Sequence, residues 1–322
     1  LFFRQFWYFV FTFVFIFVTF FNLTDPGLLT LRLFTFAFTI PLSVQKILHL
    51  KIFTHGVFKM ADKRKIHVLS RQCATGKNCA RDRPPWFSHE VCFRNLLATK
   101  DDCTDVTVIL DGISNTHFAH DYGVNVVQVS GNSDAGAYFQ LTRVFEDMYR
   151  NNAIQSDDIV YICEDDYVHR PGWPQVLREG LELFDYVTLY DHPDKYPGNP
   201  TQVDEVMRTV PAIQVSPTTH WRTACSTTNT VACLASTLLA DLPVHKFFCT
   251  LSHVKVDHEQ FLQLWMRGRT LGSCMPSVST HCMTSHMAPL IDWKQVVQNT
   301  RYGGVTDEHG VTASFSIPSC AR

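Results

Sequence analysis

Three consecutive carboxylates, Glu164, Asp165 and Asp166, form the densest chemistry in this sequence. Like charges this close repel, and burying them unpaired is costly. A divalent cation is the simplest remedy. Hard oxygen ligands suit Mg2+ or Mn2+, which keep waters and bind substrate phosphates. A solvated acidic turn would serve the same three residues equally well. Other candidates are spread along the chain. Arg71, Lys77, Arg81 and Arg83 make the segment 71–83 basic, which suits a phosphate, a nucleotide or simply a solvated loop. Gly76-Lys77 lacks the first glycine and the closing Ser/Thr of GxxxxGK(S/T), so a P-loop is excluded. Asp111 ends an apolar run and could accept from a base or ribose, or cap a turn. Trp221 and Arg222 sit in a hydroxyl-rich run, 218–230, that suits sugar hydroxyls with Trp as a stacking face; it also reads as a polar connector. Asp257 precedes an amphipathic stretch with Gln260 three residues on, so it is either a helix cap or a general base. His281 stands alone behind a short strand, where a histidine is more often structural than a ligand.

The elements that must position these groups follow from periodicity and breakers. Residues 159–163 are a short apolar run of the kind that forms a buried strand, and Pro171-Gly172 breaks the chain before a helix reaching about residue 184. The acids therefore close a central strand, at the edge where open α/β sheets bind ligands. Residues 65–70, 107–110, 124–129 and 185–190 read as further strands. Ser88 caps a helix that buries Phe93, Leu96 and Leu97, and Asn132 or Ser133 caps one running to about residue 150. The positive end of that second helix would face any phosphate. Residues 231–240 read as a helix, 270–276 as a short strand, and the tail from Asp292-Trp293 as surface-laid. Strand and helix alternate, which argues for an α/β fold with a mostly parallel central sheet flanked by helices.

The 322 residues are 46% hydrophobic with net charge −2, enough for one large domain or at most two, with no electrostatic footprint for nucleic acid. The 11 cysteines form no CxxC pair, which excludes a zinc ribbon and points to reduced thiols. Residues 1–59 differ sharply: they hold 15 of the 25 Phe and no Met. Residues 5–21 are nearly long enough to anchor the chain in a membrane. The alternative is that this segment is upstream sequence that is not translated, with a start at Met60 and a cytoplasmic domain spanning 60–322.

Taken together, Glu-Asp-Asp-Tyr-x-His-Arg-Pro-Gly-Trp (164–173), Asp-Tyr-Val-Thr-Leu-Tyr-Asp-His-Pro-Asp-Lys-Tyr (185–196), His-Trp-Arg-Thr (220–223) and Ser-Thr-His (279–281) resemble a group of GT-A glycosyltransferases, the family-2-like enzymes of bacteria and large DNA viruses. The resemblance implies a GT-A-like fold with a nucleotide-binding half and an acceptor half. It implies a metal site at Glu164, Asp166 and His281 holding Mn2+ or Mg2+, although the family's D-x-D pattern is E-D-D here. Arg71, Lys77, Arg81, Asp111, Asp134 and Asp165 would bind a nucleotide-diphospho-sugar donor. Asp191, His192, Trp221 and Arg222 would meet the donor or acceptor sugar. Asp257 matches the base of the x-E-D motif, with Val256 where the family has an acid and Glu259 two residues on. The expected activity is metal-dependent glycosyl transfer to a carbohydrate or other hydroxyl acceptor, with Asp257 favouring inversion. The competing expectations are a sugar-1-phosphate nucleotidyltransferase and a non-catalytic carbohydrate-binding relative. No nucleic-acid partner is expected, and a membrane only through residues 1–59.

Overall fold

The computed structural model describes residues 10–15, 34–39, 64–74, 82–196 and 212–300. The chain divides into two compact units, Leu1–Met60 and Ala61–Arg322. In the first, β1 (Val10–Phe15) pairs antiparallel with β2 (Phe34–Thr39). Phe alternating with Val and Thr is a strong β former, so part of the stretch expected to anchor in a membrane is a strand here. The remainder of that stretch lies outside the described residues. No helix among the described residues is long and apolar enough to cross a membrane.

The second unit is built on β3 (Ile66–Cys73), β4 (Thr104–Asp111), β5 (Asn125–Val129), β6 (Ile159–Glu164), β8 (Tyr186–Thr188), β9 (Ile213–Val215), β10 (His220–Thr223), β11 (Val231–Leu234) and β12 (Leu271–Met275). They form one sheet in the order β5-β4-β3-β6-β11-β8-β12-β10-β9. Only β10 and β11 run against the others. This is an α/β fold with a large, mostly parallel central sheet flanked by helices. A separate pair, β7 (Tyr167–His169) with β13 (Ser279–His281), lies just beyond the acids.

Among the described residues, the helices α1 (His89–Thr99), α2 (Asp134–Arg150), α3 (Trp173–Gly180), α4 (Ala235–Cys249), α5 (Asp257–Met266) and α6 (Trp293–Asn299) accompany the sheet. The central strands are buried on both faces, and their side chains sort by the period of two. Ile159, Tyr161 and Cys163 join one core with Phe93 and Leu96 of α1, Leu177 of α3 and Trp293 of α6. Val160 and Ile162 join the other with Leu141 and Phe145 of α2, Leu238 of α4 and Leu264 of α5.

Ser88 caps α1 by accepting from the Val91 amide, and Ser133 caps α2 by accepting from Gly136. Gly172, at φ +89°, supplies the left-handed turn into α3. Three expectations are corrected. The helix after Gly172 ends at Gly180, short of residue 184. Residues 231–240 open as β11, which fills the slot between β6 and β8 before α4 begins. A short apolar run carries no periodicity that separates strand from helix, and the open slot in the sheet decides it. Trp293 is buried with its indole donating to the Ala288 carbonyl, so the start of the tail belongs to the core.

Candidate active site

The acids lie where the sheet's strand ends place them. Arg71 on β3 stands in register with Glu164 on β6. Its guanidinium is buried and forked: Nη2 donates to Glu164 Oε1, and Nη1 donates to Asp134 Oδ1 at 2.7 Å and to the Asp134 carbonyl at 2.9 Å. Burial pushes the Glu164 carboxyl up to about 7, against the pull of Arg71. Asp165 Oδ2 lies 3.4 Å from Nδ1 of His89, at the start of α1, and that contact raises the imidazole's pKa. Asp166 is buried. Its Oδ2 accepts from Arg83 Nη2 at 2.9 Å and hydrogen-bonds Nε2 of His281 at 2.9 Å. Burial would raise its carboxyl, but the charges of His281 and Arg83 hold it well below the usual range.

His281 reaches Asp166 because β13 pairs with β7, which sets His281 opposite Tyr167 with the rings stacked at 5.4 Å. Arg83 also donates to the Cys282 carbonyl at 2.8 Å and lies over the Phe87 ring. Each acid of the triplet therefore meets a basic side chain. The sequence placed Arg83 in a basic segment without assigning it a partner, and nothing in the spacing marks His89.

This pairing bears on the expected metal. Two carboxylates and an imidazole are suitable donors for Mn2+ or Mg2+. As arranged here they do not fit one: among the described residues, no three His, Cys, Asp or Glu gather to hold an ion. Arg71 already holds Glu164 Oε1, and Arg83 and His281 hold Asp166 Oδ2, so a cation would share both carboxylates with basic side chains. The repulsion that called for a metal is relieved by guanidinium and imidazole groups instead.

Asp257 was expected either to cap its own helix or to act as a base. It is not the cap, because α5 begins at Asp257 with Val256 at the cap position. Its Oδ2 accepts from the backbone amides of Thr227, at 2.7 Å, and Thr228, at 2.9 Å. Those amides open a turn in which Thr228 and Asn229 have φ of +49° and +59°. A β-branched residue there is strained, and such strain persists only where surrounding contacts impose it. The turn returns to the acids: Tyr167 donates to the Thr228 carbonyl, and the Glu164 amide donates to Thr230 Oγ1.

Asp134 closes the arrangement, since its Oδ2 accepts from the Lys255 amide at 2.7 Å, two residues before Asp257. Glu164, Arg71, Asp134, Lys255, Asp257 and the turn 227–230 thus form one closed circuit. Lys255 itself is buried over the Tyr138 ring and donates to Gln260; burial lowers its ammonium to about 8. Glu259 is exposed on α5.

The remaining candidates fall elsewhere. Lys77 and Arg81 lie outside the described residues. Asp111 Oδ1 accepts from the Gly131 amide at 2.6 Å, in the segment that leads from β5 to α2. Trp221 offers no stacking face, a correction to the sequence reading. It is fully buried, its indole donates to Ser216 Oγ, and its ring lies against Gly180, where an added Cβ would come within 2.4 Å. Arg222 and Asp191 are both buried and paired, with Nη2 to Oδ1 at 2.6 Å, and Tyr196 also donates to Asp191. His192 packs against His286 with ring centres 5.3 Å apart, and its Nδ1 accepts from the Asp194 amide at 3.1 Å.

No protein-family model matches the sequence, and no curated protein matches it significantly. Solved structures do resemble the fold. A 4-diphosphocytidyl-2C-methyl-D-erythritol synthase aligns at TM-score 0.38 and 9% identity over 73% of this chain and 97% of its own. The corresponding synthase from Anaerococcus prevotii aligns at 0.39 and 12%, over 74% and 95%. A CMP:2-keto-3-deoxy-manno-octonic acid synthetase complexed with CTP aligns at 0.39 and 13%, over 66% and 92%.

Proposed function

We propose that this chain is a transferase acting on a nucleotide-activated sugar at the C-terminal ends of β3 and β6. The observation that carries the reading is the closed circuit joining the acid triplet to Asp257. It ties the Arg71 guanidinium to the fixed Asp257 carboxylate through Asp134, and a second guanidinium, Arg83, holds Asp166 of the same triplet. A guanidinium is a planar fork that suits phosphate oxygens, and a phosphate here would exchange for the carboxylates that Arg71 and Arg83 hold. Oriented cations of this kind stabilise the charge that develops on a leaving phosphate. In the glycosyl-transfer reading, Asp257 takes the proton of the acceptor hydroxyl as that hydroxyl attacks the anomeric carbon. Such general-base assistance is worth on the order of 10²–10⁴-fold. Two amides hold Oδ2 and so fix the direction of the carboxylate.

A second reading is nucleotidyl transfer from a nucleoside triphosphate to a sugar 1-phosphate. It is favoured by the position of the basic side chains: Arg71 near the end of the first strand of the sheet, and Arg83 soon after it, both meeting the acids. The two readings differ in product. The full chain is first titrated with UDP, GDP, CDP and dTDP, with MnCl2 or with EDTA, and followed by thermal unfolding. Saturation near 100 times the dissociation constant stabilises by about 2.7 kcal/mol. The nucleotide that binds is then supplied as its sugar conjugate or as its triphosphate with a sugar 1-phosphate. Release of nucleoside diphosphate supports glycosyl transfer, and release of pyrophosphate supports the second reading. No stabilisation by any of the four, from a chain that melts cooperatively, overturns both.

A further inference from the structure

We infer that Asp134 is a positioning residue that sets the acid triplet and Asp257 relative to each other, and is not a ligand of the nucleotide. The inference rests on the proposed function for the meaning of the site, and on geometry for the role. Both carboxylate oxygens of Asp134 are engaged within the protein, each by a different element. Oδ1 takes one arm of Arg71, whose other arm holds Glu164. Oδ2 takes the amide of Lys255, two residues before Asp257. A shift of Asp134 therefore moves the partner of Glu164 and the start of α5 together.

Asp134 is itself held with little play. Asp111 grips the Gly131 amide, and Ser133 caps the helix that Asp134 opens. The backbone of Gly136 is pressed so closely on Gly131 that an added Cβ would stand 1.9 Å from the Gly131 carbonyl oxygen. The far end of the linkage is the strained turn at Thr228 and Asn229, and the bonds of the Thr227 and Thr228 amides to Asp257 depend on where α5 begins. Side chains that lock the geometry of reacting groups from behind act in this way.

The test uses the full unliganded chain and Asp134→Asn, which can still accept at one atom but loses the charge and the second acceptor. Amide hydrogen exchange at Thr227 and Thr228 is compared with that at Val108, deep in β4. The expected result is exchange at least tenfold faster at the two threonines, with Val108 unchanged. A general loss of stability would move all three alike and overturn the proposal, as would unchanged exchange at Thr227 and Thr228. If Asp134→Asn does not fold, Asp134→Glu, which keeps the charge but displaces it by one methylene, is read in the same way. A second arm measures affinity for UDP, GDP, CDP and dTDP in Asp134→Asn, Glu164→Gln and the double variant. Positioning through Arg71 predicts a double variant within about threefold of the weaker single one. Losses that multiply make Asp134 a direct ligand and overturn the proposal. If the unaltered chain binds none of the four, the proposed function falls, and the exchange arm still decides the role of Asp134.

Discussion

At the scale of single residues, this site is governed by which charge meets which. Asp191 and Arg222 illustrate the point away from the acids. Each is buried, and each is polar enough that burial alone would be prohibitive. Together they are tolerated, because Arg222 donates two hydrogen bonds to one oxygen of Asp191 and Tyr196 donates to the other. Removing one partner leaves the other charge buried and uncompensated, which costs more than the pair contributes. Arg222→Ala should lower the unfolding free energy by about 3–5 kcal/mol in urea. Adding Asp191→Asn should restore a large part of that loss. If Arg222 instead waits for a sugar, Arg222→Ala will keep its stability.

At the scale of elements, the junction of β5 and α2 sets the precision of the site. Gly131 and Gly136 let two backbone segments approach more closely than any side chain permits. The cap at Ser133 and the pairing of Asp134 depend on that approach. Gly136→Ala forces the new methyl against a carbonyl oxygen of the backbone, which has little freedom to move. Overpacking of this kind costs roughly 1–3 kcal/mol, and the upper end is expected here. Calorimetry gives the loss of stability, and nucleoside diphosphate affinity should fall more steeply than stability does, because Asp134 is displaced. Ser133→Ala, by contrast, should cost only about 1 kcal/mol.

At the scale of the whole molecule, two wholly buried histidines make stability depend on acidity. Burial lowers both His169 and His245 to about 3. In the unfolded chain each titrates near 6.5. Between those values the unfolded state binds protons that the folded state does not, so stability rises with pH across this window. Their contribution is complete above about pH 6.5 and is lost as the pH falls toward 3. Each can contribute up to about 1.4 kcal/mol per pH unit. Urea unfolding at pH 7, 6 and 5 should show a steady decline, and His245→Asn should flatten it by up to one proton's worth. Glu164, raised to about 7, takes up a proton in the folded state over the same window and offsets part of the slope, so the reading is the difference between the unaltered chain and His245→Asn; no difference would mean that this ring is protonated in the folded state.

What the sequence by itself determined is what local chemistry can specify. The run that ends at Glu164 is apolar and β-branched, so it is a buried strand wherever it goes. Ser88 and Ser133 announce their helices because a cap is satisfied within three residues. The order of strands and helices then implies the α/β sheet. The meeting of Asp166 with His281 became legible only through the family resemblance, since their spacing carries no signal of its own. Only the tertiary structure decided how the charges are answered. Arg83 reaches a carbonyl 199 positions away, and Asp134 reaches the Lys255 amide 121 positions away. It also turned Trp221 inward and made β11 a strand, because the face a side chain takes depends on which neighbours pair with its strand. Electrostatic and hydrogen-bond partners are chosen in space, and a carboxylate reads the same in sequence whether a cation, an amide or water will meet it.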